Sequence, residues 1–462
     1  GEPASVIGHL HEARISIIDG LGNVTPRHLN KHIDYGQVPS PPGVKDASLA
    51  TPLDMAVTSD GQTLYVAAFG SGKIGVFDTA ALETDGFVPS AADHVVLSGG
   101  GPTGVVLDEA AQRLYVATRF DNAISVVDTQ SRTEVAHLPL YNPEPPNVVT
   151  GRPVLYDAYE TSSNGEASCA SCHVFGDVDS LAWDLGNPDD VQTINDLTPS
   201  SVVVDVGFKD FHPMKGPMTT QTLRGLATHG AMHWRGDRSV GHFGSDPDDE
   251  ALSFDNFIVA FEGLLGHDGL IPDARMFEFT SFMLDVAMPP NPIRPLDNAL
   301  SGAALEGTGV FQRPGTDSGS LKCNQCHVLA PDFGFFGSNG TRSFTDEPQQ
   351  FKAPQLRNLY AKVRMFGMPE IPFLAAGNNG DLGPQIRGFG MMHDGSVDTV
   401  FRFLGASFFS LSTTEREHVE QFVLAFPTTY APIVGQQTTL TAANGPAVGA
   451  RIALLLDRAK AC

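Results

Sequence analysis

Through residue 140 the apolar positions come in short runs, often every second residue, and the runs close on Gly, Asp or Asn. Three runs are alike: "ARISIIDG" at 13–20, "GKIGVFDT" at 72–79 and "NAISVVDT" at 122–129. The last two follow "SDGQTLYVAAF" (59–69) and "EAAQRLYVATRF" (109–120), so the unit is a turn, an apolar strand, a short polar turn and a strand ending in Asp. β-Branched and aromatic residues alternating between turn formers predict antiparallel strands joined by hairpins. Beyond residue 153 the period changes. "SFDNFIVAFEGLLG" (253–266), "ARMFEFTSFMLDVA" (274–287) and "TTEREHVEQFVLAF" (413–426) carry apolar residues at helical spacing. In the last, Val419, Phe422, Val423 and Phe426 fall at i, i+3, i+4 and i+7, one stripe for burial. Between the two regimes lies "LYNPEPPNVVTGRP" (140–153), whose four prolines read as a linker.

The two clear copies of the β unit start 50 residues apart, a period suited to propeller blades. Their "LYVA" and "VFDT/VVDT" strands resemble bacterial YVTN-type propeller repeats. About three blade-like units are fewer than the ~4 of a closed propeller, so the arc calls for blades ahead of Gly1, or for another domain or chain to complete it. The expected architecture is multidomain. An N-terminal all-β region of propeller-like repeats (1–140) and a linker (141–153) precede two mainly α, cytochrome-c-like haem domains at 154–300 and 301–462.

Hydrophobic content of 41% and charged content of 18% describe a globular protein. No run of ~18 apolar residues exists to span a bilayer. The chain starts at Gly1 without a signal-peptide core, as expected of a processed chain, which leaves export open. With 29 basic against 53 acidic residues the net charge is −24. A field of that sign repels phosphate backbones, which sets nucleic acid aside and suits a basic redox partner or none.

Four of the five cysteines form two copies of one pattern, "CASCH" (169–173) and "CNQCH" (323–327). C-x-x-C-H is the attachment signature of c-type haem. Two thiols at this spacing reach the two vinyl groups of one porphyrin, and the next residue brings its imidazole under the iron. Cys169, Cys172 and His173 would hold one haem, and Cys323, Cys326 and His327 a second. Two readings compete. A zinc site made of all four cysteines is set against by the roughly 150 residues between the pairs, where zinc ribbons have ~15–20. Disulfides suit an exported chain. Cys462 is left over as an incidental or intermolecular thiol. Covalent haem implies a periplasmic, extracellular or cell-surface protein.

The blocks around both motifs resemble one family. "TGRPVLYDAYETSSNGEASCASCH" (150–173), "FHPMKGPMTTQTLRGLATHGAMHWRGDR" (211–238) and "FKAPQLRNL…MMHDGSVDTV" (351–400) resemble, in order, three blocks of the bacterial diheme cytochrome c peroxidase superfamily, which includes the methylamine-utilisation diheme enzyme and diheme rubber oxygenases. The resemblance covers about 150–430. It implies that His212 falls near the distal histidine of the N-terminal haem. It also sets Trp234 on the tryptophan between the haems, Glu262 on the distal acid that helps cleave the O–O bond, and His393 on a haem-environment histidine. It implies two covalently attached haems, and Ca2+ as a further cofactor.

Departures accompany the match. Thirty-eight residues separate His173 from His212, more than the family shows, and the element at 233–238 reads "HWRGDR". The methionine the family carries after its His-Asp-Gly is absent, where the chain reads "RFLGASFFSLS". Met391 and Met392, then Met365 and Met368, are the candidate sixth ligands of the second iron. An insertion-like segment, 367–390, interrupts the block. The acidic stretches "DDVQTIND" and "GSDPDDEAL" lack EF-hand spacing. The expected function is hydrogen peroxide reduction at the N-terminal haem, with electrons from a cytochrome- or cupredoxin-type donor relayed by the C-terminal haem. A non-catalytic electron-transfer subunit of a larger assembly and a diheme oxygenase acting on O2 stand as alternatives. A homodimer fits any of them.

Overall fold

The computed structural model describes residues 6–186, 191–192, 211–228, 232–236, 247–338, 342–343, 351–363, 370–371, 375–376 and 390–461. The chain divides into two compact units that interleave along the sequence: 1–179 with 254–285, and 180–253 with 286–462.

The first unit opens with a two-stranded hairpin, β1 (Arg14–Ile18) and β2 (Val24–His28). Two four-stranded antiparallel meanders follow in sequence order. One is β3 (Pro52–Val57), β4 (Thr63–Ala68), β5 (Lys73–Asp78) and β6 (His94–Val96), with the short helix α1 (Thr79–Glu83) after β5. The other is β7 (Pro102–Asp108), β8 (Arg113–Thr118), β9 (Ala123–Asp128) and β10 (Thr133–Pro139). The predicted antiparallel strands are all present. The first of the three repeat copies is a hairpin rather than a four-stranded sheet.

Strand periodicity explains the packing. In β4, Tyr65 and Ala67 face one way and meet Leu114, Val116 and Val127 of the second meander. Val66 and Ala68 face the other way and meet Ile15, Leu29, Leu82 and Phe87 from the hairpin and α1. A strand buried on both faces reads as a continuous apolar run, which is why "TLYVAA" lacks clean alternation. The Asp that closes each repeat also has a cause. Asp19 accepts from the N–H of Leu21, Asp78 from that of Ala81 and Asp128 from that of Ser131, each at 2.8 Å. Such Asx turns fasten the chain where it leaves the strand.

The stretch read as a linker is half helix, since α2 spans Pro146–Tyr156. Proline is tolerated at a helix start, where its missing N–H has no intrahelical partner. At Gly151 an added Cβ would lie 2.2 Å from the Glu278 carbonyl, so α2 seats directly on α6 (Asp273–Asp285). A short helix, α3 (Ala158–Thr161), is capped by Asp157. The predicted 253–266 helix is broken into α4 (Pro247–Asp255), a 3-10 turn at Asn256–Ile258 and α5 (Val259–Gly263). The acidic "PDDEAL" (247–252) is the start of α4, opened by Pro247.

The second unit is built on α7 (Gly302–Gln312), α8 (Val400–Phe403) and α9 (Thr413–Leu424), with an amphipathic α10 (Gly445–Ala461) at its end. Short two-residue strands β11–β16 pair locally: Ala182–Trp183 with Met218–Thr219, Leu329–Ala330 with Phe335–Phe336, and Arg342–Ser343 with Phe351–Lys352. Ser412 caps α9 reciprocally with Glu415, a capping box. The stripe predicted for α9 is buried as expected: Val419, Phe422, Val423 and Phe426 pack on Val310 and Phe311 of α7. No helix among the described residues is long and apolar enough to cross a membrane.

Candidate haem-binding sites

Both Cys–His segments fold the same way. Each opens with a 3-10 turn, Cys169–Ser171 or Cys323–Gln325. In each, the histidine N–H donates to the carbonyl of the first cysteine, at 2.9 Å for His173 and 3.0 Å for His327. This turn brings the two sulfurs and the imidazole of each motif onto one short piece of chain. The four thiols are free, so the disulfide reading does not hold here. Burial pushes Cys169 and Cys172 up to about 12 and raises Cys323 and Cys326 as well. Pockets that disfavour thiolates suit neutral thioethers better than a zinc tetrathiolate, which needs deprotonated sulfur. Among the described residues no three His, Cys, Asp or Glu side chains gather to hold a metal ion. Most of "DDVQTIND" lies outside the described residues, as do Met365, Met368, Cys462 and nearly all of the insertion-like segment.

In the first unit the approach to "CASCH" is anchored by Glu166, which is 1% exposed. Its carboxylate accepts from the Ala13 N–H at 3.0 Å, Asn30 Nδ2 at 2.8 Å and His28 Nε2 at 2.9 Å, and from the Tyr35 hydroxyl. Burial alone would raise its pKa; the donors outweigh burial and the net shift is downward. This ties the "CASCH" segment to the N-terminal hairpin and the loop that follows it. Glu262 lies exposed on α5 of the same unit.

In the second unit the site is more complete. His327 Nδ1 lies 2.8 Å from the Gly337 carbonyl and 3.1 Å from that of Pro354. Carbonyls only accept, so Nδ1 carries the proton and Nε2 presents its lone pair, the arrangement an axial ligand needs. Burial lowers its pKa and keeps the ring neutral. Cys323 packs against the apolar cluster of Val310, Phe311, Leu404, Val419, Phe422, Val423 and Phe426, as do Leu359 and Phe403. Leu359 and Phe403 also pack against the cluster of Met391 and Val397, on which Met392 packs as well. The residues present therefore fit a covalently held porphyrin here.

The structure brings several expected residues together in this second unit. Trp234 is buried, and its Nε1 donates to the Thr219 carbonyl at 2.8 Å. The Thr219 N–H donates to the His393 carbonyl at 2.6 Å. The His393 ring stacks on Phe351 with centroids 4.0 Å apart. Arg357 locks this block by donating to Thr228 Oγ1 and the Gly225 carbonyl while lying over Phe336; burial lowers its pKa to about 10. His212 also belongs to the second unit and is exposed. Its Nδ1 accepts the Met214 N–H at 3.0 Å, so the neutral ring carries its proton on Nε2, and ligation through Nε2 requires that bond to break. Sequence reasoning missed Glu166 and the carbonyls of Gly337 and Pro354, since backbone acceptors leave no trace in residue type.

No family model matches the chain, and no curated protein matches it in sequence. Among solved structures it is similar to Kuenenia stuttgartiensis hydrazine synthase, at 21% identity covering 28% of this chain and 30% of that one, with a TM-score of 0.21. A second structure of that enzyme, pressurized with xenon, is 18% identical, covering 62% of this chain and 89% of that one, TM-score 0.39. Dihydro-heme d1 dehydrogenase NirN is 16% identical, covering 29% and 25%, TM-score 0.21. This chain thus spans less than a third of the first of these proteins. Likeness at TM-scores this low carries no argument about function.

Proposed function

We propose that the chain is an exported diheme c-type cytochrome that reduces hydrogen peroxide at the haem of "CASCH", with electrons relayed by the haem of "CNQCH". The observation that carries the reading is the shared turn of the two Cys–His motifs, with His327 held so that Nε2 is available. Covalent haem supplies one-electron storage at each site and, where a coordination position is open, a place for peroxide to bind. Peroxide reduction consumes two electrons and two protons and yields two waters.

The chain's own residues divide that work. Cys169, Cys172 and His173, and Cys323, Cys326 and His327, attach and orient. The apolar cluster on which Cys323 packs would keep water from that side of the site. Met391 or Met392 would offer a thioether to the haem of the second site, which suits electron transfer rather than substrate binding. Trp234, buried and fixed by its Nε1 bond, is a bridging aromatic. His212 and Glu262, both exposed, are the candidate proton donors. Calcium, implied by the family resemblance, belongs to the same proposal.

The test is an EPR and visible spectrum of fully oxidised and half-reduced protein, with and without peroxide. The peroxidase reading expects half-reduction to open one haem to a high-spin form that peroxide then oxidises rapidly. Two haems that stay low-spin and inert to peroxide in both states would leave an electron conduit instead.

A further inference from the structure

Lys352 is the one lysine whose burial has no explanation within the described residues. It is 1% exposed, and its Nζ has no hydrogen-bond partner among them. Its backbone is fixed, since its N–H donates to the Trp234 carbonyl at 2.9 Å and Phe351–Lys352 pairs with Arg342–Ser343. The chain continues directly to the proximal histidine of the second site. The Ala353 carbonyl accepts the Ser338 hydroxyl, and the Pro354 carbonyl lies 3.1 Å from His327 Nδ1. On the other side, Phe351 carries the His393 ring. The unpartnered amine thus sits in the strand between Trp234 and the loop that orients His327.

A buried amine with nothing to bind is costly. An apolar side chain of similar length would fill the space without the desolvation penalty of several kcal/mol. Burial lowers the Lys352 pKa to about 7, so a carboxylate brought beside it would decide its charge. Haem c carries two propionates, and an ammonium–carboxylate hydrogen bond is among the stronger polar contacts in a dry site. We propose that Lys352 Nζ is the buried anchor for a propionate of the haem held at Cys323, Cys326 and His327. This rests on the haem reading above.

The experiment uses the holoprotein, after a pyridine haemochrome assay has counted its haems. Lys352→Met and Lys352→Arg are compared with the parent by thermal unfolding, by redox titration of both haems and by the propionate bending bands in resonance Raman. An anchor predicts that Lys352→Met lowers the Tm, shifts one midpoint potential negative while the other stays, and displaces a bending band. Lys352→Arg then keeps the potential near the parent value and still displaces the band. An orphan lysine predicts the opposite sign: Lys352→Met raises the Tm and leaves potentials and bands unchanged, which overturns the proposal. Should Lys352→Met not accumulate, Lys352→Arg carries the test, because a band that does not move in it rejects the anchor. A chain with no haem at 323–327 fells the cofactor reading and the anchor with it. The haem count therefore separates that failure from a failure of the anchor alone.

Discussion

A histidine's chemistry is set by what its second nitrogen touches, and His327 and His212 are opposite cases. Carbonyls hold Nδ1 of the first and leave Nε2 as a lone pair; a backbone N–H holds Nδ1 of the second and leaves Nε2 as a donor. The same logic governs Glu166, whose donors include a backbone N–H, an amide, an imidazole and a phenol. Glu166→Ala leaves buried donors without an acceptor and should cost about 3 kcal/mol, read as a lower urea midpoint. The pH dependence follows in sign. A carboxyl with a depressed folded pKa contributes its stability above the unfolded pKa and loses it as pH falls. Wild type should therefore lose stability through the acid range more steeply than Glu166→Gln. Equal slopes would mean that the carboxylate's bonds are not what holds the N-terminal hairpin to the "CASCH" segment.

At the scale of elements, two helix pairs depend on single glycines. An added Cβ at Gly307 of α7 would stand 2.0 Å from the His418 carbonyl of α9, while one at Gly309 meets nothing within 4 Å. Gly307→Ala should therefore destabilise by about 1–3 kcal/mol through overpacking. Gly309→Ala, two residues on, should stabilise by about 0.5–1 kcal/mol because alanine loses less backbone entropy on folding. Thermal unfolding of the two variants gives opposite signs if α7 and α9 pack this closely; the same sign in both would contradict the pairing. Much of this level was legible in the sequence. The α9 stripe, the antiparallel β runs and the Asp that closes each repeat follow from periodicity and turn chemistry that act within a few residues. What local pattern hid has equally local causes. Four prolines between 140 and 153 read as a linker, yet Pro146 begins α2 and Gly151 seats it on α6. The continuous apolar run of β4 hid a strand buried on both faces. Lys352 reads in the sequence as one letter of a motif, because residue type alone never tells that a lysine is buried.

At the scale of the whole molecule, the division of the chain and its charge are the properties that bear on function. Residues 180–253 join 286–462 in one unit, a grouping that depends on contacts between segments far apart in sequence, so no window of the chain reveals it. Trp234, His393 and Met391 come together through it. Charge, by contrast, can be read directly. At −24 the protein presents a negative field to any electron donor. Long-range attraction speeds the encounter with a basic partner, and salt removes the advantage once the Debye length shrinks to about 8 Å near 0.15 M. If a basic cytochrome is the donor, its second-order rate of haem reduction should fall about tenfold between 10 mM and 150 mM salt, while a neutral donor of similar potential changes little. Stopped-flow reduction with both donors over that range decides the matter. A rate that is flat for the basic donor as well would mean that the acidic surface serves solubility and that docking is carried by an uncharged patch. The peroxidase and conduit readings would then share a partner chosen by shape rather than by charge.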